Sequence, residues 1–467
     1  MRYIKLLQSF GFARYEVGEN EKYTFVKIRD NVIQQVNQEE IIDALETFIN
    51  DDYDFEAAGM EATEPETLIN KLYDGVVFNK KLFGRLKSEA PIILNQDKAG
   101  ATFLYYKNGF VEVTAAGYEL KPYDEMDGSV WDHQLNDRNF TKIDDPLSIV
   151  CEDTDQDQRN YAGEFADFCW KICGRDAERF QALCCIIGYL VHDYYRYALK
   201  MVYLTDSTIS EHSQGRTGKT LLLKLIGNVR SYSEIPGKHF NPTDEKRYQL
   251  VKLGTQLVHI NDVESRGRNK FTIEPMFNDI TEGLQVRALY LPPFVQYSKL
   301  VASGNDSLFV EGDSARDRVI EFEMSSFFSV ERRPVDYYGH RLGDAWDAEA
   351  WNQFDNFICF CSMLFHQQGL IQPPTINLEE RKLLQKTNSE FLEFISERIK
   401  ALIDRGQPAE FDLNMLFDDF KKEFQDYNNP KFAQKTFNKW CELYGQTRHK
   451  GKWVRKRTNG KYIIRYD

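Results

Sequence analysis

The chain has 467 residues, 42% hydrophobic and 14% aromatic, enough for two to four domains with sizeable cores. With no run of about 18 apolar residues and neither the apolar core nor the cleavage pattern of a secretory signal after Met1-Arg2-Tyr3-Ile4-Lys5, no membrane span is expected and a cytoplasmic location is. The net charge of −13 does not exclude a nucleic-acid partner, because such contact needs only a local basic surface.

Residues 1–150 read as a mixed α/β domain with short strands, among them Tyr23–Ile28 and an alternating stretch from Ala101 to Thr114 broken by an Asn108-Gly109 turn. No catalytic constellation stands out there. A polar, acidic connector from Asp144 to Gln158 leads into a helical region, 151–199. Its apolar residues Phe165, Phe168, Cys169 and Ile172 recur at three- and four-residue spacing, and the helical pattern runs from Tyr161 to about Tyr197. The eight cysteines are irregularly spaced with no CxxC pair and read as reduced, buried thiols.

The chemistry begins in a core assigned to 200–330. A buried strand, Lys200–Leu204, precedes Ser213-Gln214-Gly215-Arg216-Thr217-Gly218-Lys219-Thr220, and an apolar helix, Leu221–Ile226, follows. Strand, glycine loop and helix are the setting of a P-loop, in which backbone N–H groups and the helix N-terminus hold phosphate. Ser213, Gly215, Arg216, Thr217 and Gly218 would cradle ATP, Lys219 would bridge its β- and γ-phosphates, and the Thr220 hydroxyl would hold Mg²⁺. Ser213 stands where the motif usually has its first glycine.

A second apolar strand, Gln256–Ile260, ends in Asn261-Asp262, with Glu264 beyond. Ligands of α/β sheets sit at the carboxyl ends of strands, so Asp262 is the expected metal-side and catalytic acid and Glu264 its reserve. Asn261 is neutral and brings no charge to a metal site, and on this reading Asn261→Asp should raise turnover. A third strand, Lys299–Ser303, leads to Asn305, placed to touch the γ-phosphate or the attacking water. Arg316 and Arg318 precede a further strand at Val319–Phe322, and either is a candidate to reach a neighbouring subunit's ATP.

A helical extension, 331–385, precedes a last domain, 386–467. Helical stretches at 390–403, 413–424 and 433–444 are followed by a basic ribbon. It runs Trp453-Val454-Arg455-Lys456-Arg457, turns at Asn459-Gly460 and returns through Lys461–Ile464. Three helices and a two-stranded wing predict a winged helix, with Arg455, Lys456 and Arg457 as DNA-phosphate contacts.

The order P-loop, acidic strand, insert, Asn-tipped strand, arginines resembles the superfamily 3 helicases, an AAA+-like group of viruses, phages and plasmids. The phrases Ile187-Gly188-Tyr189-Leu190-Val191-His192, Ile280-Thr281-Glu282-Gly283 and Trp346-Asp347 to Trp351 to Phe354 are similar to phage and plasmid primase-helicases. The resemblance spans roughly residues 150–375. It implies an α/β, AAA+-like P-loop ATPase core and a homohexameric ring hydrolysing ATP between subunits while moving 3′ to 5′ on single-stranded or forked DNA. It also implies a pore hairpin between the acidic and Asn-tipped strands, with Arg287 on phosphate and Tyr290 against a base. Relatives usually carry two acids where this chain has Asn261-Asp262. Residues 1–150 look too short for a primase module, which makes a separate primase or polymerase an expected partner. Two other jobs fit the same residues: an ATP-controlled replication initiator, and a partner-recruiting switch.

Overall fold

A computed structural model of the chain describes residues 2–16, 23–51, 65–75, 79–86, 92–151, 160–194, 199–209, 217–264, 271–287, 293–308, 313–450 and 452–466. Its central strands are β1 (Met201–Asp206), β2 (Tyr232–Pro236), β3 (Leu257–Val263), β4 (Leu284–Val286), β5 (Phe294–Gln296), β6 (Lys299–Gly304) and β7 (Val319–Met324). Strands β2, β3, β6, β1 and β7, in that spatial order, form a sheet whose neighbours are all parallel. Every residue of β1, β6 and β7 is buried, as a parallel sheet covered on both faces requires.

Three features of this order position the site. The strand that precedes the glycine-containing segment, β1, and the strand that carries Asp262, β3, are not neighbours, because β6 lies between them. Asn305, just past the carboxyl end of β6, is therefore flanked by both. Strand β2 packs outside β3. Strands β4 and β5 pair as a separate antiparallel hairpin, Leu284 opposite Gln296.

Helices α1 (Glu164–Ile172), α2 (Ala177–Val191), α3 (Lys219–Ile226) and α4 (Ala348–Gln368) share a large core with the sheet. The helical region expected over 161–197 consists of two helices, Glu164–Ile172 and Ala177–Val191. The chain turns at Gly174 and Arg175, both at positive φ (74° and 61°), and Asp176 caps α2 by accepting from Arg179 N at 2.8 Å. Helix α2 ends at Val191. A Cβ on Gly188 would lie 2.2 Å from the Cys361 carbonyl oxygen, so this glycine is where α2 and α4 touch.

The hairpin expected around Asn108-Gly109 forms, with Ala101–Tyr106 paired to Gly109–Thr114. Its Leu104, Tyr106, Val111 and Val113, with Phe140, pack in the same core as the sheet, while Leu7, Phe12, Ile41 and Leu45 belong to a separate small cluster. Arg138 fastens the two parts by a bidentate bond to Asp355 of α4, at 2.7 and 2.6 Å.

Beyond residue 377 come α5 (Leu378–Lys386), α6 (Ser389–Ile403), β8 (Ala409–Asp412), α7 (Leu413–Glu423), α8 (Gln434–Arg448), β9 (Trp453–Thr458) and β10 (Lys461–Tyr466). They have their own core, with Phe391, Phe394, Phe420, Phe437 and Tyr466 at its centre. The ribbon β9–β10 turns at Asn459 and Gly460, both at positive φ (50° and 79°). The expected two-stranded wing is in fact a three-stranded sheet, because β8 pairs with β10. Seven cysteines, Cys169, Cys173, Cys184, Cys185, Cys359, Cys361 and Cys441, are free and buried. No helix among the described residues is long and apolar enough to cross a membrane.

Candidate nucleotide site

The site lies where the carboxyl ends of β1, β6 and β3 meet the start of α3. Of the loop residues expected to cradle phosphate, Ser213, Gly215 and Arg216 lie outside the described residues; Thr217, Gly218, Lys219 and Thr220 are within them. Gly218 has φ +102°, and a Cβ there would meet the Phe168 ring at 2.7 Å, so glycine is required for backbone and space alike. No side chain caps α3 at Gly218. The N–H groups of its first turn are left to a ligand.

Lys219 is the centre of the cluster. Its Nζ lies 2.6 Å from Asp206 Oδ2 and donates to Asn305 Oδ1 at 3.2 Å. Burial pulls its pKa below the usual lysine value, Asp206 opposes this, and Arg381 adds to it. The Thr217 hydroxyl donates to the other oxygen of Asp206. Asp206 was not picked out from the sequence; its signal is position, as the polar last residue of an apolar strand that enters a glycine loop.

Asn305 spans the gap between the strands: it accepts from Lys219, and its Nδ2 donates to Asp262 Oδ1 at 3.4 Å. Asp262 sits at φ +62°, where the pairing of β3 with β6 shifts register between Ile260 and Val263. Such an irregularity re-aims a side chain, and Asp262 is half-exposed, with Lys238 Nζ at 3.4 Å. Glu264 is exposed just past β3, and its backbone carbonyl accepts from Phe271 N at 2.8 Å.

Asn261, not Asp262, meets the Thr220 hydroxyl: Thr220 Oγ1 donates to Asn261 Oδ1 at 3.2 Å. The Ser303 hydroxyl donates to the same oxygen at 3.2 Å, and Asn261 Nδ2 donates to Glu234 Oε1 at 2.6 Å. Thr220, Asn261 and Asp262 offer the oxygen ligands a hard cation such as Mg²⁺ takes, so the residues present fit that ion. A cavity of about 740 Å³ opens beside Lys219 and Thr220, with Lys224, Arg333, Arg341 and Asp344 also on its wall.

Arg381 of α5 is a second residue the sequence reading missed. Fully buried, it donates to Thr205 Oγ1 at 2.6 Å and to the Asn305 carbonyl at 3.1 Å, and its other nitrogen pairs with Glu323 at 3.3 Å. Its signal was faint, one arginine on the same helical face as Leu384.

The remaining candidates lie elsewhere. Arg318 is at the amino end of β7, where its carbonyl accepts from Met201 N at 2.8 Å, so the length of β1, about 20 Å, separates it from the Lys219 cluster of its own chain. Its guanidinium donates to Ser314 Oγ at 2.6 Å and lies over the Phe277 ring at 4.8 Å. Arg316 is exposed and paired with Asp313 at 3.6 Å. Arg287 follows β4, exposed, 2.5 Å from Glu245; Tyr290 lies outside the described residues. On β9, Arg455 pairs with Glu442, Lys456 with Glu410 at 3.1 Å, and exposed Arg457 lies over Tyr462 at 5.6 Å.

No family model matches the chain, and no curated protein does. Among solved structures, the chain is similar to the apo A form of the NrS-1 C terminal region, at 11% identity over 99% of this chain and 98% of that one, with a TM-score of 0.42. It is also similar to JCV helicase bound to a thiazolopyridinyl-phenoxyphenyl acetamide, at 14% identity over 53% of this chain and 66% of that one, with a TM-score of 0.26. At such identities and scores the functional reading rests on the chain's own residues.

Proposed function

We propose that the chain is an ATP-hydrolysing motor acting on DNA, a ring-forming helicase of the superfamily 3 kind that serves replication of a phage or other mobile element. One observation carries the reading: Lys219, Asn305 and Asp262 form a hydrogen-bonded line across the ends of β1, β6 and β3. A cation, an amide and a carboxylate in that order suit phosphoryl transfer to water. Lys219 stabilises charge on the phosphates, Asn305 fixes the attacking water, and half-exposed Asp262 takes its proton. Thr220, Asn261 and Asp262 are the residues that would hold Mg²⁺, which when bound would neutralise phosphate charge.

The DNA-handling parts follow the same reading. Arg287, beside the β4–β5 hairpin, contacts a single strand's phosphate, and Tyr290 is the residue proposed to stack on a base. The carboxyl-terminal unit, with three helices and a small antiparallel sheet, is read as a winged helix whose Arg457, Arg455 and Lys456 face DNA phosphates. A hexamer moving 3′ to 5′ and working with a separate primase or polymerase is the assembly proposed.

Asp262→Asn should cut steady-state ATPase by about 10²-fold or more and leave nucleotide binding in place. Glu264→Gln, outside the hydrogen-bonded line, should stay within about twofold. The reverse ranking would move the catalytic acid to Glu264. Fork unwinding tests the whole reading: ATP should drive separation of 3′-tailed substrates. Stoichiometric ATP binding with tight duplex binding and no strand separation on either tail would leave an initiator instead of a motor.

A further inference from the structure

The residue of β3 that faces the Thr220 hydroxyl carries no charge. Asn261 stands against Thr220, and an amide oxygen is a weaker partner for a dication than a carboxylate. The sheet brings an acid to the back of that amide from the neighbouring strand. Glu234 of β2 is in register with His259, two residues before Asn261 on the same face of β3. Its Oε1 accepts from Asn261 Nδ2 at 2.6 Å, the length of a charge-assisted bond. Beyond Glu234 the two strands are pressed together, since a Cβ on Gly237 would lie 2.6 Å from the Asn261 carbonyl oxygen.

The amide is also held in one orientation. Thr220 and Ser303 hydroxyls both donate to its oxygen, and Glu234 accepts from its nitrogen. Behind Ser303, His259 Nε2 lies 2.8 Å from the Ser303 hydroxyl, and its Nδ1 lies 2.8 Å from the Tyr232 hydroxyl. An N–H on Nε2 directed at Ser303 leaves that hydroxyl's own proton for Asn261. Flipping the amide would break three hydrogen bonds at once.

We propose that Glu234 is a positioning residue that supplies, through the Asn261 amide, the negative charge missing at the position that faces Thr220. The carboxylate holds the Nδ2 hydrogens and polarises Oδ1 toward Thr220, so that a carboxylate–amide pair stands in for one carboxylate. This rests on the nucleotide-site reading and deepens it. It also revises the expectation that Asn261→Asp raises turnover: a carboxylate there would face Glu234 at hydrogen-bond distance, and two such groups cannot both ionise freely.

The test reads metal affinity, not turnover. Binding of a fluorescent non-hydrolysable ATP analogue to the full chain is followed against Mg²⁺ concentration, with thermal melting as the folding control. Glu234→Gln should raise the half-saturating Mg²⁺ by about 10–100-fold, the usual cost of losing a partner behind a metal ligand. Asn261→Asp should also weaken it. The double variant Glu234→Gln/Asn261→Asp exchanges amide and carboxylate between the strands and should recover wild-type Mg²⁺ dependence within about threefold, since the pair keeps its charge and its hydrogen bond. A Glu234→Gln curve within twofold of wild type, or a double variant no better than the worse single one, overturns the proposal. Lys219→Ala binding the analogue as tightly as wild type would instead sink the nucleotide site itself.

Discussion

Lys219→Ala is expected to lose ATP turnover by about 10²–10³-fold, the scale of removing one preorganised stabiliser of transition-state charge. The ammonium is nearly buried and already aimed, held between Asp206 and Asn305 at the mouth of the loop. No other cation bonds to Asn305's side chain among the described residues. The same change has a second consequence that must be separated from the first. Asp206 is buried, and without Lys219 it retains the Thr217 hydroxyl but no ammonium. A buried pair broken on one side costs about 3–5 kcal/mol, so Lys219→Ala should also melt earlier. Lys219→Ala/Asp206→Asn removes the stranded charge and should regain melting temperature while staying inactive. Wild-type phosphate release by the single variant, or regained turnover in the double one, would show that the chemistry lies elsewhere.

Arg318→Ala should cost about 10³-fold or more in kcat if the residue serves a neighbour's ATP, with little change in nucleotide binding by one subunit. Arg318 begins β7 at the amino edge of the sheet, and Lys219 lies past the carboxyl edge of β1, so one chain cannot bring them together. The guanidinium is stacked on Phe277 and bonded to Ser314, and its Nε is buried without a hydrogen-bond partner. Its orientation is therefore set by the fold, as a group acting across an interface needs. Lys219→Ala and Arg318→Ala subunits, each inactive, should regain some ATPase when mixed, because a few interfaces then hold one intact copy of each part. No recovery at any ratio in assembled rings would rule out action in trans, and Arg316, exposed beside Asp313, would be tested next.

The core of the site was legible because its signals are local. A buried strand, a glycine loop and an apolar helix lie within thirty residues, and each has the period its structure demands. Asn305 and Asp262 were legible as polar residues at strand ends. Their pairing was not, because it depends on β6 lying between β1 and β3, which no short-range pattern encodes. Asp206, Glu234 and Arg381 escaped for the same reason. Each is an ordinary charged residue in its own segment and meets the site only through sheet order or helix packing. The break at Gly174-Arg175 was hidden by apolar residues that keep helical spacing on both sides of the turn. Strand β8 escaped because Ala-Glu-Phe-Asp is too short to show alternation.

The buried cysteines give the chain a built-in clock for its own opening. Reaction with an alkylating reagent requires the thiolate and access to it. Burial pushes Cys185 up to about 12 and raises Cys169, Cys173, Cys359 and Cys361 well above the usual thiol value. Five of the seven, Cys169, Cys173, Cys184, Cys359 and Cys361, lie in the core shared with the sheet, whereas Cys441 belongs to the separate core of the carboxyl-terminal unit. In a Cys151→Ser background, labelling of each group therefore times the opening of a different compartment. Loading the nucleotide site should slow the first group through linkage, and any slowing at Cys441 would measure how far that stabilisation travels through α5.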